Sequence, residues 1–242
     1  VLRFDYRGFG ESEGPECRLI PLEQVEDIRN AITFMEQQEG VDANRIGLFG
    51  AAVGGSNACY TAGVDPRAKC IVSVLGMGDC GRWLRGLRRY HEWQEFLKTL
   101  DEDRVTRALT GKSRYVDRDE VIVPDPETAD THTKVQRVLP GLKTKLPLES
   151  AEALINYRAE SVVDRISPRA AMWIHAGADT LVPVDEARSM YEKAGEPKKL
   201  VILEGVPHHT LYYSPVFEHV MTITTEWFDN HLLKASRHAR AL

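Results

Sequence analysis

The sequence has few of the features that mark secreted, membrane-bound or nucleic-acid-binding proteins. No apolar run reaches the roughly 20 residues that a helix needs to cross a bilayer. Four cysteines, none in Cys-x-x-Cys spacing, are too few for a disulfide scaffold, and we expect reduced, mostly buried thiols. The net charge of -5 gives no reason to expect nucleic-acid binding. We therefore expect a cytoplasmic protein with no membrane partner and no nucleic-acid partner.

What is present is the composition of an ordinary globular chain. Apolar residues make up 43% and charged residues 28% of the 242 positions. This length suits one α/β domain with an insertion. The chain opens on Val1 rather than Met, directly inside a strand-like run, which predicts that residues before it are missing.

Apolar strands alternate with amphipathic helices on both sides of a different central segment. Strands are predicted over residues 1–6, 46–49, 69–75, 170–176 and 199–203. Helices are predicted from Pro21 onward and over 54–62, 184–194 and 216–233, with a basic tail at 235–242. This alternation predicts a doubly wound, mostly parallel sheet.

The central segment interrupts that alternation. We predict an α/β core over 1–76 and 167–242, and an insertion over 77–166. The insertion carries helical patterns around Trp83 and Trp93, and loops are predicted at 123–126 and 140–147. It therefore predicts a mostly helical cap rather than more sheet.

A strand-turn-helix signature surrounds residues 50–55. The apolar strand runs into Gly50-Ala51-Ala52-Val53-Gly54-Gly55 and then into a helix of small residues. This pattern predicts a nucleophile elbow, a sharp turn that exposes the side chain of its middle residue. Ser, Cys or Asp is expected at that position, whereas Ala52 has no nucleophilic atom.

Four motifs in this chain order together resemble the α/β-hydrolase fold family. They are Asp5-Tyr6-Arg7-Gly8-Phe9-Gly10-Glu11-Ser12, Gly50-Ala51-Ala52-Val53-Gly54-Gly55, Gly177-Ala178-Asp179-Thr180-Leu181-Val182-Pro183 and Gly205-Val206-Pro207-His208. The resemblance implies an α/β fold with a helical cap inserted between strands. It also implies that the sequence starts at about the fourth of eight strands. The cap and the run 165–169 are similar to dienelactone-hydrolase and dipeptidyl-peptidase-like branches.

The resemblance implies a serine-hydrolase site with roles for four positions. Ala52 occupies the nucleophile position, His208 the base and Asp179 the acid that orients it. The N–H of Val53 is the expected oxyanion donor, and the second donor would come from the loop after the third strand, absent here. Asp179 could instead be a loop aspartate that caps a turn. Asp5, Arg7 and Ser12 are expected to brace a loop beside the site.

A histidine doublet raises one alternative, a metal site. No carboxylate or cysteine accompanies His208 and His209 at ligand spacing, so we expect no metal and no cofactor. His209 is then a neighbour of the base that faces solvent or the cap, and it is a candidate for substrate binding.

Ala52 has two explanations. A serine was replaced so that the protein binds substrate without turnover, or a natural protein kept the fold and lost the reaction. The intact Asp179 and His208 favour the first explanation. Ser56 is no substitute, because it lies one helical turn beyond the elbow.

Basic residues are concentrated in the first part of the cap. Residues 81–118 carry ten Arg or Lys and six Asp or Glu. Spacings of three and four predict that Arg82, Arg85, Arg88 and Arg89 share one helical face. A solvated face is the ordinary interpretation, and the sharper hypothesis is that one or two of them hold a substrate carboxylate. Trp83 and Trp93 are typical of a cap core, but they could also wall an acyl pocket.

We therefore predict a hydrolase that cleaves a carboxylic ester through an acyl-enzyme, inactive here because of Ala52. The alternatives are an amidase or peptidase, and a binding protein without chemistry. The expected partner is a small-molecule ester or amide, and a homodimer is left open.

Overall fold

A computed structural model describes residues 1–138 and 144–233, and the chain forms two compact units. The helical unit comprises Arg3–Gln24 and Asp79–Tyr157 together with Val1. The sheet unit comprises Val25–Gly78 and the chain from Arg158 onward, together with Leu2. The sequence predicted a cap over 77–166. The helical unit contains residues 79–157 of that range and also residues 3–24, which include the first turn of α1.

The strands are β1 (Gly47–Ala51), β2 (Cys70–Val74), β3 (Tyr115–Asp117), β4 (Lys145–Pro147), β5 (Ala170–Ala176) and β6 (Lys198–Leu203). The α-helices are α1 (Pro21–Glu36), α2 (Val53–Val64), α3 (Cys80–Gly86), α4 (Tyr90–Thr110), α5 (Arg118–Val121), α6 (Pro126–Val138), α7 (Leu148–Ile155), α8 (Asp185–Lys193) and α9 (Val216–Phe228). Short 3-10 turns cover Ala43–Arg45, Ala159–Ser161, Val163–Ile166 and His209–Tyr212, and a π-helical turn over Asp229–Leu233 follows α9.

A parallel sheet with strand order β1-β2-β5-β6 forms the centre of the sheet unit. Its register aligns Gly47 with Cys70, Cys70 with Ala170, and Ala176 with Leu203. Every residue of β2 and β5 is buried, which is the reason for their nearly unbroken apolar sequence. The predicted fold class, a doubly wound and mostly parallel sheet flanked by helices, is confirmed.

Helix α9 packs against the sheet and forms a hydrophobic core with it. Val72, Met172 and Ile174 from the strands are buried together with Val220 of α9, and Trp227 packs on the cluster. Burying one such aliphatic side chain contributes about 1.5–3 kcal/mol. The core thus holds the strands rigidly, and the loops that leave their carboxyl ends emerge at one edge, where α/β proteins place their sites.

The helical unit has its own core between α4 and α7. Phe96 and Leu100 of α4 pack with Leu148 and Ala151 of α7 and with Val116 of β3. The prediction of a mostly helical segment is correct, with one addition. Strands β3 and β4 pair antiparallel, so residues 145–147 are a strand where a loop was predicted. They pair because Val116 and the opposite Leu146 are both buried. Residues 139–143, which include the start of the predicted loop, lie outside the described residues.

Two other expectations about local structure are wrong. Residues 1–6 are not a strand, because no strand of the described residues pairs with them, and a strand is defined by its ladder. Asp5 instead organises the following loop: its backbone oxygen accepts a 2.6 Å hydrogen bond from Ser12 Oγ and its carboxylate one from Glu11 N. Pro126, predicted in a loop, is the first residue of α6, a favoured place for proline.

The four cysteines are free and buried, as predicted. Burial raises the pKa of the Cys59 and Cys70 thiols to about 12, so neither is a nucleophile at neutral pH. No helix within residues 1–138 and 144–233 is long and apolar enough to cross a membrane. The cytoplasmic location stays a prediction, and the tail at 235–242 lies outside the described residues.

Candidate active site

The strand-to-helix turn at residue 52 has the strained geometry that the sequence predicted. Ala52 lies between β1 and α2 with φ 50° and ψ −125°. Such a positive φ is uncommon for a residue with a Cβ and costs about 1–3 kcal/mol. Two hydrogen bonds fix it: Ala52 N donates to Val74 O and Ala52 O accepts from Gly55 N, each at 2.9 Å. The turn between β1 and α2 is therefore sharp and is fixed by backbone contacts.

Close packing explains two of the three glycines around the elbow. A Cβ on Gly50 would lie 2.1 Å from Gly54 O, and one on Gly55 would lie 2.7 Å from Ser73 Oγ. A Cβ on Gly54 would meet no atom within 4 Å. Close packing therefore requires glycine at positions 50 and 55 but not at position 54.

Val53, the predicted oxyanion donor, is the first residue of α2. The first N–H groups of a helix have no acceptor inside it, and the helix dipole makes this end favourable for negative charge. The helix has 12 residues, so these groups are held on a rigid element. This arrangement suits an anion that develops beside residue 52.

Asp179 follows the end of β5 and its side chain is fully buried. Oδ1 accepts from Leu181 N at 2.9 Å and from Val182 N at 2.7 Å. Oδ2 lies 2.6 Å from Nδ1 of His208. One oxygen thus caps the turn and the other contacts the histidine, and the acid role of Asp179 stays a prediction.

His208 follows β6 and is 4% exposed. A carboxylate only accepts hydrogen bonds, so Nδ1 carries the proton toward Asp179 and Nε2 of the neutral ring is left as a base. The next residue, His209, begins a 3-10 turn, and its ring centre lies 4.9 Å from that of His208 at an angle of 73°. Among the described residues no group of three metal-ligating side chains occurs.

A third histidine, which no sequence motif indicated, lies beside Asp179. His175 lies in β5, fully buried, with Nε2 3.7 Å from Oδ2 of Asp179. Burial is the main cause that lowers the pKa of His175, so the ring is neutral near pH 7. The signal was present as the one titratable residue in an apolar strand, four positions before Asp179.

Ser56 and Asp185 have ordinary structural roles. Ser56 is buried, and its Oγ accepts a 2.9 Å hydrogen bond from Met77 N. Asp185 begins α8 and pairs with Arg188 at 2.9 Å. Neither takes part in the contacts of Asp179 and His208 described above.

The arginines of the helical unit do not share one helical face, contrary to the prediction. Helix α3 ends at Gly86, so Arg88 lies outside it and Arg89 precedes α4. Residues spaced by three or four share a face only while the helix continues. Arg88 is buried: it donates to Val121 O at 2.8 Å and its guanidinium carbon lies 3.9 Å from the ring centre of Phe96. Burial lowers its pKa to about 10.

The other cap residues singled out by the sequence lie in the helical unit at different depths. Trp83 is buried and Arg82 is exposed. The guanidinium carbon of Arg85 lies 5.7 Å from the ring centre of Tyr90 and 5.9 Å from that of Trp93, which is cation-π distance. A role of these residues in substrate binding stays a prediction.

A parallel α/β sheet with a strained elbow at one strand end and a buried Asp-His pair at two others defines an α/β-hydrolase. The profile of the Hydrolase_4 family, described as serine aminopeptidase, S33, matches residues 1–213, and the chain belongs to that family. The predicted resemblance is thereby confirmed; the narrower branch stays a prediction.

Relatives of the chain include both uncharacterised and named proteins. An uncharacterised 31.7 kDa protein of Escherichia coli is 34% identical over 234 residues, which cover 96% of this chain and 81% of the relative. Thiohydrolase aneE of Aspergillus aculeatus is 25% identical, with 91% and 73% covered. Polyketide transferase grgF of Penicillium sp. is 24% identical, with 96% and 78% covered.

One solved structure illustrates the likeness in fold. The crystal structure of the alpha/beta hydrolase GrgF from Penicillium sp. sh18 has a TM-score of 0.78 to this chain. It is 20% identical, and the match covers 95% of this chain and 78% of the other. At this identity the likeness concerns the fold alone.

Proposed function

We propose that the sheet unit carries a Ser-His-Asp type acyl-transfer site in which residue 52 is the nucleophile position. The observation that carries the proposal is the 2.6 Å contact between His208 Nδ1 and the buried Oδ2 of Asp179. The second oxygen of that carboxylate is held by two backbone N–H groups, so the acid has one orientation. Such an acid fixes the tautomer of the base.

In the active form a serine at position 52 attacks the substrate carbonyl carbon through Oγ. Its proton goes to Nε2 of His208, and Asp179 stabilises the imidazolium that forms. The N–H of Val53 donates to the carbonyl oxygen as that oxygen becomes negative. His208 then returns the proton to the leaving group, the C–O or C–S bond breaks, and an acyl-enzyme remains for water or another nucleophile to attack.

The substrate class is an acyl group bound through oxygen or sulfur. An ester is our first expectation, and the names of two relatives, a thiohydrolase and a polyketide transferase, support acyl chemistry in a wider sense. An amide or peptide bond is the alternative, in keeping with the description of the family as serine aminopeptidase. The acyl acceptor then decides between hydrolysis and transfer.

The chain with Ala52 is proposed to bind its substrate without turning it over. Ala52 is also the observation that favours a second candidate function, a non-catalytic binding protein on the same fold. The two proposals differ in what happens when the missing hydroxyl is supplied, because only a catalytic site has a base poised to activate it.

The test is Ala52→Ser, with Ala52→Ser/His208→Asn as the matched control. We expect the single variant to hydrolyse a p-nitrophenyl ester and to be labelled at residue 52 by a fluorophosphonate, and the control and the unmodified chain to do neither. An S-acyl thioester and a p-nitroanilide of the same acyl group separate the substrate classes. A folded single variant that is unlabelled and no faster than the control would refute the catalytic proposal and favour the binding protein.

An acid-bearing substrate is the finer proposal for the helical unit. Arg88 is excluded from this role, because its guanidinium is buried and donates to backbone carbonyls. Arg82, Arg85 and Arg89 remain, and we take Arg82 and Arg85 of α3 as the candidates. We expect Arg→Ala at either position to raise the KM of an ester that carries a second carboxylate and to spare its neutral analogue; equal effects on both esters would contradict this role.

A further inference from the structure

Strand β5 carries a buried histidine that the proposed reaction does not use. His175 has no exposed surface, and every other residue of the strand is buried around it. A histidine in such a place costs desolvation free energy unless its polar atoms are satisfied. What the ring contacts therefore bears on why it is there.

The hydrogen bond of the ring defines its tautomer. Nε2 of His175 lies 2.9 Å from Val182 O. A carbonyl oxygen only accepts, so Nε2 carries the proton and donates it. Nδ1 is then bare, and it has no hydrogen-bond partner in the part of the chain that the structure describes. The ring is a neutral donor directed at the loop after its own strand.

Val182 connects this donor to the acid. Its N–H donates to Oδ1 of Asp179 at 2.7 Å, while its C=O accepts from His175. Both polar groups of one backbone residue are thus occupied, one by the acid and one by the histidine. The turn from Asp179 to Val182 is therefore fixed at Val182 by two hydrogen bonds, one to the Asp179 carboxylate and one from His175 of β5.

The Nε2–H group of His175 also lies near Oδ2 of Asp179, the oxygen that contacts His208. Nε2 of His175 is 3.7 Å from Oδ2 of Asp179, too far for a hydrogen bond but close enough for the N–H dipole to favour the carboxylate charge. The titratable groups facing His175 are Asp179, His208 and Glu186. Burial opposes protonation of His175.

We propose that His175 is a positioning residue for the Asp179–His208 pair. It holds the Asp179 turn in place through Val182 O and supports the carboxylate charge while remaining neutral. Its importance for turnover rests on the proposed function, whereas its effect on the pair does not.

The experiment compares His175→Gln with His175→Leu in the chain that carries Ala52. The Gln amide can still donate to Val182 O, and Leu keeps a similar volume without a donor. Proton NMR detects the His208 Nδ1–H resonance, which a short hydrogen bond to a carboxylate shifts far downfield. We expect this resonance in the unmodified chain and in the Gln variant, and its loss or upfield movement in the Leu variant.

The same two substitutions in the Ala52→Ser protein test the consequence for turnover. A displacement of a catalytic group by 1 Å costs about 100-fold, so we expect kcat to fall about 100-fold for Leu with KM unchanged and to recover for Gln. Inactivity of Ala52→Ser itself would count against the proposed function and leave the NMR comparison to decide on His175.

The proposal is overturned if a folded Leu variant, with the Tm of the parent, keeps the downfield resonance. If neither variant folds, nitrogen-15 NMR of the unmodified chain decides. A neutral Nε2–H tautomer of His175 across about pH 5 to 8 supports the proposal. An Nδ1–H tautomer, or protonation of His175 within that range, refutes it.

Discussion

Replacing Asp179 with Asn should reverse the hydrogen bond that orients His208. An Asn carbonyl oxygen can keep the bonds that Oδ1 accepts from Leu181 N and Val182 N. The NH₂ group then takes the place of Oδ2, 2.6 Å from Nδ1 of His208. Because NH₂ only donates, Nδ1 must accept and the ring proton moves to Nε2. In that tautomer the ring cannot take a proton from a nucleophile at residue 52.

The expected losses in activity and in stability differ widely. The wrong tautomer costs about 10⁴-fold in kcat in serine hydrolases with this triad, which is about 5.4 kcal/mol at 1.36 kcal/mol per factor of ten. The fold loses one charged hydrogen bond, worth about 1.5–3 kcal/mol, and gains a neutral one in its place. A large kinetic defect in a nearly normally stable protein is therefore the expected pattern.

The assay compares Ala52→Ser with Ala52→Ser/Asp179→Asn by steady-state hydrolysis of a p-nitrophenyl ester and by urea denaturation. Asp185→Asn in the same background is the matched control, because that carboxylate is 79% exposed and its pair with Arg188 lies at the surface. We expect the control to keep full activity. A fall of less than about tenfold for Asp179→Asn, or an equal fall for the control, would refute the orienting role.

Two further predictions concern the stability of the sheet unit. Gly50→Ala should lower Tm strongly or prevent folding, since its Cβ would lie 2.1 Å from Gly54 O. The Cβ of Gly54→Ala would meet no atom within 4 Å, so this substitution should leave Tm unchanged or slightly higher in calorimetry. The opposite order of the two Tm values would contradict the packing at the elbow. Hydrogen bonds from Arg67 lower the pKa of Asp65 to about 2, so Asp65→Asn should cost roughly 2 kcal/mol at pH 7. That cost should disappear as the pH falls from about 4 to about 2, and a pH-independent difference in urea denaturation would refute it.

The elbow keeps its strained geometry without a nucleophile. The backbone of Ala52 is fixed by Val74 O on one side and Gly55 N on the other, and neither bond involves a side chain of residue 52. The strain is therefore a property of the junction between β1 and α2. Ala52→Ser adds one oxygen to a turn that is already formed, which makes this substitution a sharp test of the proposed site.

Buried strands and the order of the motifs were predictable from the sequence alone. The apolar runs that became β2 and β5 are continuous because both faces of a parallel sheet are covered, a constraint that every residue of the run records. Asp179 and His208 follow two strands that pair in parallel, so their proximity at one sheet edge follows from the pattern of strands. These features depend on local periodicity and on the chain order of short motifs.

Other features depend on partners distant in sequence, and only the tertiary structure decided them. Residues 1–6 alternate like a strand, but a strand needs a neighbour to pair with. Arg88 is spaced like its neighbours on a helix, but the helix ends at Gly86 and the guanidinium is buried against Phe96. The role proposed for His175 depends on its hydrogen bond to Val182 O. That acceptor is a backbone atom, so no pattern of side chains in the sequence indicates it. The sequence by itself determined the family, the parallel sheet and the chain order of the motifs, whereas the contacts of Asp179, His208 and His175 exist only in the folded chain.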